Sequence, residues 1–252
     1  MSDAKKYKIR LFLSLVNNWE QYGGKPQYVK WGQAVGFNSW IQEMAVYVKS
    51  MDPKHLVEIG LEGFYGPSTP NKYLFNPSTY YQQIGTDFIR NHQIVGVDFA
   101  SVHMYLEWLS ETISDAHIQF IKSWMQAHID DAEKVLGMPV LFGEFGLSTK
   151  NPGYNSSLRD TLFSTIYRTI LGSTKKGGSG ARSLFWQLFL DGMDEWPGDG
   201  MVIVLSKSPS TACLISIHSS RLILFNSMCT WNCKWGCKKK HALEEFLFHN
   251  DL

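Results

Sequence analysis

This 252-residue sequence has no long hydrophobic run. Its most apolar stretches, such as SLFWQLFL at 183–190, fall far short of the roughly 18 residues a membrane-spanning helix needs, so no membrane partner is expected. Nor is one sign of charge in excess: 24 Lys and Arg face 23 Asp and Glu, which gives neither the basic footprint of a nucleic-acid binder nor an acidic tail. The opening MSDAKKYKIRLFLSLVNNW places basic residues before a short apolar segment but has no small-residue cleavage site, so it reads as a strand and not as a signal peptide. Cysteine is missing until Cys213. All four, Cys213, Cys229, Cys233 and Cys237, crowd into the carboxyl-terminal stretch, which favours a local disulfide staple in an oxidising compartment, with three pairings open. The last three form a Cys-x3-Cys-x3-Cys-x3-His series with His241, but on a helix they would spread over ~18 Å, too far to share one zinc ion. Asn155, in the sequon NSS, points to the same kind of compartment.

What is present is apolar and aromatic. Nine Trp, eleven Tyr and fifteen Phe suit a core and equally suit stacking on sugar rings, so composition does not separate the two. KIRLFLSLV, HLVEIGL, VDFASVHMY, MPVLFGEF and ARSLFWQLF read as strands buried on both faces, as in a parallel sheet. Helices alternate with them. A capping-box pattern from Ser39 to Gln42 opens one with Ile41, Met44, Ala45 and Val48 on one face. Ile118, Ile121, Met125, Ile129 and Ala132 mark a second, and Ser157 to Asp160 opens a third with Leu158, Leu162, Ile166 and Ile170 inward. With no linker, repeat or low-complexity segment between them, the alternation predicts an α/β fold with a parallel sheet.

In such folds chemistry collects at the carboxyl ends of strands. His103 and Tyr105 close VDFASVHMY, Glu144 closes MPVLFGEF between two glycines, and Trp186 sits late in ARSLFWQLF. Each alone has an ordinary structural reading: a satisfied core histidine, packing aromatics, a helix cap. Together, at successive strand ends, they predict a site. A carboxylate costs several kcal/mol to desolvate without compensation, so Glu144 at the end of Pro-Val-Leu-Phe is its centre.

At these residues the sequence resembles plant endo-β-1,4-mannanases of glycoside hydrolase family five. LFLSLVNNWEQYGGKPQYVKWG, HLVEIGLEGFYGPSTPNKYLFNPS, VDFASVHMY, PVLFGEFGLS, LFWQLF and CKWGCKKK carry the likeness in order. The resemblance implies a (β/α)8 TIM barrel over residues 1–240, here incomplete, followed by a divergent tail at 241–252. It implies endo-hydrolysis of β-1,4-mannosidic bonds in mannan, glucomannan and galactomannan with retention of configuration, and an extracellular or cell-wall setting. By resemblance Glu144 is the nucleophile, His103 and Tyr105 are the active-site pair on the preceding strand, and Trp186 is the platform under the sugar. Trp19 and Glu62 are weaker candidates, as loop and supporting residues. The partners implied are β-mannan polysaccharides, and neither metal nor cofactor is implied.

The sequence also departs from that family. A retaining glycosidase uses two carboxyls about 5 to 5.5 Å apart, one to attack and one to protonate the leaving oxygen. The family carries the second in an Asn-Glu-Pro motif on the fourth strand, and no such tripeptide occurs here. The chain passes from Asn38 straight to Ser39 where the family continues through about 60 further residues, roughly two βα units. By the same resemblance the family's first two strands, with an arginine of its site, have no counterpart here, so about five βα units of eight are expected. Leu106 and Leu190 stand where the family usually has proline. Glu62, with Glu58 four residues earlier, is the best-placed substitute acid. The expectation is an inactive member of the family; the alternatives are a carbohydrate-binding pseudoenzyme or a truncated product without function.

Overall fold

The computed structural model describes residues 6–7, 11–13, 36–109, 115–193 and 198–232. Trp19, Cys233, Cys237, His241 and the 241–252 tail lie outside them. Of the expected strand KIRLFLSLV only residues 11–13 are described, and these are exposed and irregular.

The helices are α1 (Phe37–Met51), α2 (Phe88–His92), α3 (Asp115–Asp131), α4 (Ser156–Lys175) and α5 (Pro209–Asn232); the strands are β1 (Ala100–Tyr105), β2 (Val140–Gly146), β3 (Gly180–Ser183), β4 (Leu188–Phe189) and β5 (Ile203–Val204). The strands form a parallel sheet in the order β1-β2-β3 and a parallel pair β4-β5. Three of the five expected strands are therefore seen as such, with changes. ARSLFWQLF splits into β3 and β4, and HLVEIGL forms no strand. Gly60 adopts φ +64° in the middle of that segment, a turn that a regular ladder does not tolerate. The segment is tied to β1 and the residues before it by scattered bonds and not by a ladder: Asp98 N–H to Val57 O at 3.0 Å, Val57 N–H to Asp98 Oδ2 at 2.6 Å, Ser101 Oγ to Leu61 O at 3.1 Å and His103 N–H to Glu62 O at 3.0 Å.

Helices α3 and α4 cover one face of the sheet. The stripe Ile118, Ile121, Met125, Ile129 and Ala132 is buried as the helical period requires, and so are Leu162, Ile166 and Ile170. They close over Val102, Met104, Phe142 and Phe145, all fully buried, with Trp124 and Phe163 filling the layer between. Each such side chain contributes about 1.5–3 kcal/mol on burial. A π-helical turn, Ala132–Leu136, ends α3 on Gly137 at φ +68° and feeds β2.

Both predicted helix starts shift. Helix α1 begins two residues before Ser39, at a Gly36 N-cap with φ 81° and no side-chain cap, so the expected box does not form. Helix α4 is capped by Asn155, whose carboxamide oxygen accepts from Leu158 N–H at 2.8 Å. Helix α1 docks through a small separate cluster, Ile41 and Ala45 against Ile94, not through the main core. Cys213 lies exposed on α5 as a free thiol, neither in a disulfide staple nor buried as the sequence led one to expect, while the side chains of the other three cysteines lie outside the described ones.

Candidate active site

The register between β1 and β2 builds the site. Ala100, Ser101 and Val102 pair in step with Val140, Leu141 and Phe142; then the ladder slips, and His103 pairs with Glu144. Gly143 is the extra residue. Without that bulge Glu144 would lie opposite Met104, whose side chain is fully buried in the core, because a one-residue slip reverses the face of every later side chain. The bulge turns Glu144 onto the face that His103 and Tyr105 share.

The glycines flanking the acid make room. A Cβ on Gly143 would sit 3.3 Å from His103 Nε2, and one on Gly146 would meet the Trp186 carbonyl at 2.5 Å. Gly146 thus lets the Trp186 backbone press against the end of β2, where Trp186 N–H donates to Phe145 O at 2.8 Å. The Trp186–Gln187 peptide bond is cis.

Four of the sequence-derived candidates come together here. Tyr105 donates its hydroxyl to Glu144 Oε2 at 2.6 Å. His103 Nδ1 lies 3.1 Å from Glu62 Oε2 and 3.6 Å from Glu144 Oε2. The shorter contact is not aligned as a hydrogen bond. The His103 side chain is 15% exposed, against 43% for Glu62 and 33% for Glu144, so the imidazole is the enclosed member and the acids face the open side. Burial pulls the His103 pKa down, but the Glu62 contact and the charges of Glu62, Glu144 and Glu58 outweigh it and leave it raised. Burial first, and then the Glu144 carboxylate, raise the Tyr105 phenol. Glu58 turns to Ser101 Oγ and to Gly60 N–H, the latter at 2.7 Å, and burial pushes its carboxyl up despite both bonds.

Trp186 joins the site by its edge. Its indole N–H donates to Asp199 Oδ2 at 2.6 Å, with the residue still 37% exposed. Asp199 is not legible from strand patterning, since it lies in a turn; the Gly-Asp-Gly at 198–200 is the one local signal. Leu106 is fully buried and opens a 3-10 turn after β1, whereas Leu190 is 70% exposed. Among the described residues no group of three His, Cys, Asp or Glu is arranged to hold a metal ion, and no helix is long and apolar enough to cross a membrane.

Parallel strands under helices, with an acid, an imidazole, a phenol and an indole at or just beyond their carboxyl ends, are the arrangement of an incomplete (β/α) barrel with its site at the strand ends. The family model described as "GH family 5 beta-mannosidase-like" matches residues 33–192. Mannan endo-1,4-beta-mannosidase 7 of Oryza sativa subsp. japonica is 39% identical, covering 86% of this chain and 74% of its own length. Mannan endo-1,4-beta-mannosidase 7 of Arabidopsis thaliana is 36% identical over 90% of this chain and 67% of its own. A further rice relative is 40% identical over 95% of this chain but only 62% of its own length, in an alignment of 308 positions, longer than this chain, so that relative carries residues opposite gaps here. The solved endo-1,4-beta-D-mannanase of Thermotoga petrophila superposes with a TM-score of 0.67 at 23% identity, over 86% of this chain and 77% of that one, a likeness that establishes the fold. The chain belongs to glycoside hydrolase family 5, among its beta-mannosidase-like members.

Proposed function

We propose that this chain carries the nucleophile half of a β-1,4-mannan endohydrolase site, and that turnover of unactivated mannan is lost with the segment that would hold the acid. The observation that carries it is Glu144 at the end of β2, held through Oε2 by Tyr105 at 2.6 Å. That contact leaves Oε1 to attack the anomeric carbon. As the Glu144–carbon bond forms, the glycosidic C–O bond breaks and the aglycone departs with its electron pair; a sugar alkoxide needs a proton at that moment, whereas a nitrophenolate does not. The names of the relatives support β-mannan as the substrate class, and the cell wall, outside the cell, is where such a polysaccharide is met.

The test uses 2,4-dinitrophenyl β-mannoside. The expected result is a chain heavier by one mannosyl group, with the adduct mapped to the peptide holding Glu144 and absent from Glu144→Gln. A folded parent chain that forms no adduct overturns the proposal. A second reading, sugar binding without bond cleavage, is favoured by the part-exposed indole of Trp186; mannohexaose binding by a chain that forms no adduct would support it.

A further inference from the structure

The geometry points to Asp199 as a positioning residue for the Trp186 indole, fixing the angle at which the ring face is offered to a sugar; this rests on the reading of Trp186 as the sugar platform. Three observations carry it. First, the carboxylate is held at both oxygens: Oδ2 accepts the indole N–H at 2.6 Å, and Oδ1 accepts Met201 N–H at 2.8 Å. An indole has only this one donor, so the bond fixes the ring's rotation about its side-chain torsions and leaves the face free.

Second, the turn bearing Asp199 is tied to the loop after β2. Ser148 Oγ donates to Asp199 O at 2.6 Å, Thr149 N–H to Gly200 O at 2.9 Å and Lys150 Nζ to Gly198 O at 2.6 Å. Gly200, at φ +84°, comes so close that a Cβ there would meet Ser148 Oγ at 2.5 Å. Since that loop follows directly from Glu144, the indole is indexed to the strand that carries the acid. Third, the loop is also fastened to the end of β1, where Glu107 Oε1 accepts Ser148 N–H at 3.0 Å. A continuous path thus runs from the Tyr105 strand through Ser148 and Asp199 to Trp186, and the Asp199 charge is among those that help keep the proton on Tyr105.

The experiment reads the ring directly and then its consequence. In a ¹⁵N-labelled chain the Trp186 indole N–H resonance, assigned by its disappearance in Trp186→Phe, should lie downfield and exchange slowly. Asp199→Ala should move it upfield and speed exchange; the near-isosteric Asp199→Asn, which carries the test if the alanine variant does not fold, should give a smaller shift. Ser148→Ala, which loosens the loop but keeps the carboxylate, should leave the resonance near its place. Mannohexaose affinity should fall roughly three- to tenfold in Asp199→Ala, as loss of an exposed charge-assisted bond implies, and by more in Trp186→Phe. An unmoved resonance in Asp199→Ala and Asp199→Asn overturns the proposal. So does unchanged affinity in the Asp199 variants when Trp186→Phe weakens binding. If Trp186→Phe binds as the parent does, or the parent does not bind, the platform reading itself falls and takes the sugar-facing role of Asp199 with it.

Discussion

Tyr105 and Glu144 meet at 2.6 Å across neighbouring parallel strands, the phenol donating to Oε2. The contact exists because the Gly143 bulge brings Glu144 opposite His103, two residues before Tyr105 on the same face of β1. Burial and the carboxylate both hold the proton on the tyrosine, so the donor and acceptor roles do not exchange near neutral pH. One oxygen of the acid is thereby fixed in place before any sugar arrives, which is what an attacking carboxylate needs.

Tyr105→Phe removes that bond while keeping the ring. A hydrogen bond to a charged group is worth about 1.5–3 kcal/mol, so adduct formation from the dinitrophenyl mannoside should slow about 10- to 100-fold, with the melting temperature little changed. Time-resolved intact mass spectrometry measures the rate. An unchanged rate in a folded variant would remove Tyr105 from the reacting centre.

Much of this arrangement is legible in the amino-acid sequence, and the reasons are local. The helical stripes of α3 and α4, and the apolar runs of β1 and β2, are periodic signals set by burial, and the strand-end positions of His103, Tyr105, Glu144 and Trp186 follow from them. What is not legible depends on backbone conformation or on distant contacts. Gly60 looks like any glycine in HLVEIGL, yet its positive φ breaks the strand and sends Glu58 to Ser101 while Glu62 goes to His103. The Gly143 bulge leaves no mark on composition. Strand β5 is two residues long, too short to carry a period. Asp199 reaches Trp186 from a turn thirteen residues away.

The second prediction concerns acid. His92 is fully buried, its Nδ1 placed to donate to Phe88 O at 2.7 Å and its Nε2 to accept from Ser101 N–H at 3.4 Å, an arrangement that suits the neutral ring. Burial lowers its pKa to about 4. The unfolded chain takes up a proton near pH about 6.5 that the folded chain refuses until about 4, so stability is full above that window and falls as pH drops through it. His103 has the opposite sign: its raised pKa gives a contribution present below about 6.5 and lost as pH rises through the folded value. Urea unfolding at pH 7, 6, 5 and 4 should show the acid-side loss, and His92→Gln should flatten it. An equal slope in that variant would assign the loss to other groups, His128 and His218 first, since both are also held down at about 4.

The third prediction concerns association. Helix α1 exposes Tyr47 at 59% and Met51 at 72%, one turn apart, with Leu56 at 43% just beyond. Below them the helix rests on the small Ile41–Ala45–Ile94 cluster, set apart from the main core, and β1 stands at one end of the described sheet order. Exposed apolar surface of this kind favours pairing between copies. Sedimentation velocity should show concentration-dependent oligomers, and the double variant Tyr47→Lys, Met51→Lys should shift them toward monomer. A monomeric parent across the micromolar range would contradict this.

The last prediction separates a lost acid from a lost fold. On the proposed reading, attack by Glu144 on mannan expels a sugar alkoxide without a positioned proton donor, and such proton transfer alone is worth ~10²- to 10⁴-fold. Galactomannan should therefore show no measurable gain in reducing ends with this chain. With the dinitrophenyl mannoside the first step proceeds, but water attacking the mannosyl-enzyme lacks a base, so the adduct accumulates. Azide is already an anion and needs no base; it should attack the same carbon, displace Glu144 and release β-mannosyl azide, restoring turnover with net retention of configuration. Loss of the adduct signal on adding azide, with the product's anomeric configuration read by NMR, checks each step. Robust galactomannan cleavage that disappears in Glu62→Gln would show instead that Glu62, beside His103 at 3.1 Å, supplies the proton, and the account of a missing acid would be wrong.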